Sequence, residues 1–82
     1  MSAVQSAKGG KARDPRYREL IDKLIVARKT KGLSQEALAK TLGRHQQFVS
    51  RYETGERRLD IVEFIDIGRA LDFDLNSVLA IL

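Results

Sequence analysis

The chain has 82 residues, 43% apolar and 32% charged, with a net charge of +4; that is one small folded domain with no room for a second core. It has no cysteine and a single histidine, His45, which excludes disulfides, thiol chemistry and any multi-His or Cys/His metal site. No apolar run approaches a membrane span or a signal-peptide core, so the expectation is a cytoplasmic protein with no membrane partner.

Charge is unevenly spread. Residues 1–58 hold fourteen Lys/Arg against six Asp/Glu, net +8, whereas 59–82 hold Arg69 against five acids, net −4. A basic body with an acidic C-terminal end suits a face for polyanions and a face kept off them.

Residues 1–14 read as a flexible basic arm, and 15–82 as the folded domain. Asp14-Pro15 marks the first helix start, with proline in the first turn. Tyr17, Leu20, Ile21, Leu24 and Arg28 then recur at helical spacing, and Lys29, Lys31 and Gly32 close the segment. Ser34 is the next N-cap, with Leu33 and Leu38 placed as a hydrophobic staple and Leu38, Ala39 and Leu42 as the buried stripe. Gly43 ends this short helix. A third follows at 46–53, with Val49 and Tyr52 inward, and Gly55 ends it. Asp60 and Glu63 form a capping box for a fourth helix, which is apolar almost all round: Ile61, Phe64, Ile65, Ile67, Gly68 and Leu71. Asp74 caps a fifth, containing Leu75, Val78, Leu79, Ile81 and Leu82. No alternating strand pattern occurs, so the fold class is all-α with five helices.

The informative stretch is Ser34 to Gly55. Two short helices meet at a tight turn, and the second carries apolar residues on one side and amide and guanidinium groups on the other. That is what a helix-turn-helix needs: one helix braces on the DNA backbone while the other lies in the major groove. Glutamine matches the adenine edge and arginine the guanine edge.

Gly32-Leu33-Ser34-Gln35-Glu36-Ala37-Leu38-Ala39, then Leu42-Gly43 and Val49-Ser50-Arg51-Tyr52-Glu53-Thr54-Gly55, resemble the Cro/CI-type (lambda repressor-like, XRE) helix-turn-helix family over about residues 20–80. The resemblance implies a five-helix DNA-binding domain. By position it implies base reading by Gln46, Gln47, Ser50 and Arg51. It places Phe48 among the base contacts too, its ring against a thymine methyl, unless that ring tucks into the core. It implies phosphate contacts from Gln35, Arg57 and Arg58, and a structural ion pair between Arg28 and Glu53. Arg44 stands where the family commonly has Val or Ile, which suggests an exposed, phosphate-contacting side chain. His45 stands where Ser, Thr or Asn usually caps, and a histidine caps poorly. Asp72 replaces a common glycine.

The fourth and fifth helices carry more apolar residues than one face needs. Beyond what the core takes, Ile61, Ile67, Leu75, Ile81 and Leu82 remain, so a two-fold homodimer is expected through this end, with Ile61, Leu75, Leu79, Ile81 and Leu82 at its interface. The leading reading is a nucleoid-associated transcriptional regulator of double-stranded DNA, either Cro/CI-like or of the restriction–modification controller type, binding a near-palindromic operator as a dimer. The alternative is the antitoxin of a toxin–antitoxin pair. No cofactor or small-molecule substrate is expected. Enzymatic function is disfavoured: Gly9-Gly10 is isolated, and no Ser/His/Asp arrangement is convincing.

Overall fold

Caps decide where each helix begins and ends. The computed structural model describes residues 14–81, so the arm over 1–13 and Leu82 lie outside the described residues. Helix α1 spans Pro15–Thr30, α2 Gln35–Leu42, α3 Gln46–Thr54, α4 Ile61–Leu71 and α5 Asn76–Leu79, with no strand among the described residues. The Asp14 carboxylate accepts from the Arg16 backbone N–H at 2.9 Å, and Ser34 Oγ accepts from that of Ala37 at 3.0 Å. At α4 the box is reciprocal: Asp60 Oδ1 accepts from Glu63 N at 2.7 Å, and Glu63 Oε1 accepts from Asp60 N at 3.0 Å.

Two terminators matter for the site. Gly43 turns the chain between α2 and α3 in the left-handed region, φ +70°, where a Cβ is costly. Asp72 takes that same region at the end of α4, φ +54°, which aspartate tolerates better than most residues. Lys31 Nζ donates to its carboxylate at 2.6 Å. The fifth helix is only four residues long. Its N-cap position is Leu75, with no side-chain cap, and Asp74, expected as the cap, stands one residue earlier and accepts from Asn76 N at 3.0 Å.

The core takes side chains from four helices: Ile21 and Leu24 from α1, Leu38 and Ala39 from α2, Phe48, Val49 and Tyr52 from α3, and Ile67 and Leu71 from α4. Helix α2 packs most extensively against α3, and α1 and α4 close the remaining sides. α4 is thus divided lengthwise. Ile67, Gly68 and Leu71 face inward, while Ile61, Val62 and Ile65 stay in solvent; the place expected for Ile67 in the outer apolar excess is corrected, since it is fully buried in the core. No helix among the described residues is long and apolar enough to cross a membrane, and none of those residues form a metal-ligating group.

Tyr52 is fully buried, and its hydroxyl has no hydrogen-bond partner among the described residues. Burial pushes its phenol well above the ordinary value. An unsatisfied buried hydroxyl costs about 1–3 kcal/mol. Tyr52→Phe is therefore expected to stabilise the domain by about 1 kcal/mol in urea denaturation. A loss of stability would show that the hydroxyl is satisfied.

Candidate nucleic-acid interface

The orientation of α3 is set by a buried polar knot at its C-terminal end. Arg28, on α1, is 8% exposed and Glu53, on α3, is 7% exposed. Arg28 Nε donates to Glu53 Oε2 at 2.7 Å and Nη2 to Oε1 at 3.2 Å, while Nη1 donates to the Leu33 carbonyl at 2.7 Å. Gln35, at the start of α2, donates from Nε2 to Glu53 Oε1 at 2.8 Å. Arg18 Nη2 donates to the Glu53 backbone carbonyl at 2.8 Å. One residue of α3 is thereby tied to α1 twice and to α2 once. Removing one partner of a buried pair strands the other charge.

A second cluster braces the start of α3. Phe48 is only 8% exposed and meets Tyr52 edge to face at 5.5 Å. Its placement among the base contacts is corrected here: the ring belongs to the core, and its remaining edge is covered by arginines. The Arg44 guanidinium lies 3.9 Å from the ring centroid and that of Arg57 5.1 Å. Both arginines converge on Glu63. Arg57 Nη1 and Nη2 donate to its two oxygens, each at 2.8 Å, and Arg44 Nη2 lies 3.5 Å from Oε2. Arg57's hydrogen bonds hold the Glu63 carboxyl down at about 2, against the opposing push of burial. Both terminal nitrogens of Arg57, the residue expected at a phosphate, are thus paired with Glu63, although its side chain is 41% exposed.

The remaining expected residues fall as follows. Gln46, Gln47 and Arg51 are exposed on α3, and Ser50 is half-buried beside them. His45 makes no side-chain cap. Arg44, His45, Gln47, Phe48, Arg51 and Arg57 line an open cavity of about 210 Å³ at the start of this helix. Gln35 has one of its two amide hydrogens committed to Glu53. Arg58 is exposed, with its guanidinium 4.1 Å from the Tyr17 ring, and the Tyr17 hydroxyl accepts from Leu59 N at 3.1 Å. The loop after α3 is thus clasped to α1.

Ile61, Leu75 and Leu79 are exposed. Ile81 is half-buried and shares a groove with Tyr17, Leu20 and Val78, so part of its surface turns toward α1 rather than outward. Sequence reasoning missed Val62 on the exposed face, Arg18 in the first knot, and Glu63 as the anchor of two arginines. Only the opposite charges of Arg57 and Glu63, flanking one cap, offered a signal for the last.

A short bracing helix, a glycine turn and a second helix with its inner side in the core and a row of amides and a guanidinium outside define a helix-turn-helix DNA reader. The helix-turn-helix family model HTH_3 matches residues 24–78. An XRE-family like protein from Pseudomonas syringae pv. tomato str. DC3000 is similar in structure: 46% identical, TM-score 0.72, with 79% of this chain and 81% of that one covered. No curated protein sequence matches. The chain belongs to the XRE-type helix-turn-helix family, a family of DNA-binding transcriptional regulators.

Glu53→Ala is expected to destabilise the domain by about 3–5 kcal/mol, because Arg28 is left charged and buried. Chemical denaturation measures it, and an unchanged midpoint would reject the structural weight of the pair.

Proposed function

We propose that the protein regulates transcription by reading a near-palindromic operator as a homodimer, with α3 in the major groove of each half-site. The observation that carries this is the two-sidedness of α3. Phe48, Val49 and Tyr52 anchor it in the core, and Gln46, Gln47 and Arg51 are exposed along the rest of its surface, with Ser50 between. Residues three and four apart share a helix face, so Gln47 and Arg51 act together, as do Gln46 and Ser50. Gln35, Arg44 and Arg58 contact phosphates and fix the register. Arg44 reaches them from its seat on the Phe48 ring.

The dimer reading rests on the apolar outer surface of the C-terminal helices. Ile61, Leu75 and Leu79 are 74%, 59% and 68% exposed, and Val62 and Ile65 add to them. Pairing two copies there buries this surface and sets two α3 helices on one face of the duplex, about one helical turn apart. Sedimentation is expected to show a dimer, and a monomer at high protein concentration would reject that part.

The direct test is selection and sequencing of bound fragments from random DNA at near-physiological salt. A two-fold motif with half-sites about ten base pairs apart is expected. Arg51→Ala is expected to cost about 1–3 kcal/mol of specific binding and to relax the preference at one position of each half-site. No enrichment over bulk DNA would overturn the reading and bring forward an antitoxin-like, protein-binding role.

A further inference from the structure

We propose that Glu63 limits sequence-independent DNA binding by withholding Arg57 from the phosphate backbone, an inference that rests on the DNA-binding reading above. The geometry is that of a closed fork. Arg57 Nη1 and Nη2 each sit 2.8 Å from a different Glu63 oxygen, and Nη1 donates as well to the Arg58 carbonyl at 3.2 Å. A bidentate guanidinium–carboxylate pair is among the stronger charge-assisted arrangements.

The carboxylate is not free to swing away. Its side chain is 12% exposed, and Oε1 also accepts from Asp60 N at 3.0 Å, so swinging the carboxylate away opens the capping box of α4. Glu63 also draws on Arg44, 3.5 Å from Oε2. Arg44 is nevertheless held from below by the Phe48 ring and among the described residues has only this one longer ion pair, so it remains the arginine of the pair that can reach a phosphate. Two cations at the mouth of the reading helix thus act electrostatically as about one.

A phosphate contact carries no sequence information, and each one adds about 0.9 to the slope of log affinity against log salt. A cation whose two terminal nitrogens are both closed on Glu63, as those of Arg57 are, contributes neither affinity nor slope. The acid thereby lowers the hold that any duplex has on the protein, while Gln46, Gln47 and Arg51 keep their approach to the bases.

The experiment measures binding of the full chain to a random-sequence duplex across a range of salt concentrations. Glu63→Gln is expected to bind roughly five- to tenfold more tightly near 0.1 M salt, with the slope steeper by about 0.9. Glu56→Gln makes the same charge change beside the same loop without freeing an arginine, and it is expected to move the slope by less. Arg57→Gln is expected to keep the wild-type slope, and the Arg57→Gln/Glu63→Gln double variant to lose the gain. A folded Glu63→Gln protein with wild-type slope overturns the proposal. So does an Arg57→Gln slope shallower by about 0.9, which decides the matter even if Glu63→Gln does not fold. Wild-type protein that binds no duplex at all overturns the DNA-binding reading and this inference together.

Discussion

Everything the domain presents to a partner depends on the buried contact between Arg28 and Glu53. Two charges taken out of water are costly unless their remaining donors and acceptors are satisfied. Here all three guanidinium nitrogens of Arg28 have partners, and Glu53 takes bonds from Arg28, Gln35 and, through its backbone, Arg18. The pair acts as a registration device as much as a source of stability. Apolar contacts at Val49 and Tyr52 tolerate small rotations of a nine-residue helix. A bidentate charged contact at its last turn does not, and so fixes which side chains of α3 face outward.

The opposite end of the same helix is held by different chemistry. There the anchor is an aromatic ring in the core, roofed by Arg44 and gripped through Arg57 by the first turn of α4. α3 is thus tied to α1 and α2 at its end and to α4 at its beginning. A domain of this size buries only about 60% of its unfolded surface. Polar clamps at both ends supply the rigidity that a small core supplies only in part.

Helix boundaries were legible because caps are local. Ser34, Gly43, Gly55 and the Asp60–Glu63 box each act within a few residues of where they stand. The inward stripe of α3 was legible at Val49 and Tyr52 for the same reason. Phe48 was not: on a short helix it borders both faces, and the decision is made by Arg44 and Arg57, which arrive from outside α3 to cover it. Glu63 was legible as a cap and not as an anchor, because its second role depends on how the 55–60 loop folds back. The Arg28–Glu53 contact spans 25 positions; family resemblance pointed to it, whereas periodicity along one helix does not reach so far. The exposed side of α4 was visible as an excess of apolar residues, but Val62 escaped notice until the helix had been divided into its two faces.

The uncapped start of α3 has a consequence for how the domain's stability is distributed. His45 leaves the first-turn amides of α3 without a side-chain acceptor, whereas Ser34 and Asp60 supply one to the helices on either side in sequence. A good cap is worth about 1 kcal/mol. The chain therefore leaves stability unclaimed at the second helix of the helix-turn-helix, the one with amides and a guanidinium along its exposed surface. Natural domains sit above a stability threshold rather than at an optimum, and position 45 is where this one keeps its reserve. An engineered domain has room for a serine, threonine or aspartate there, which would stiffen α3 without touching its outward row.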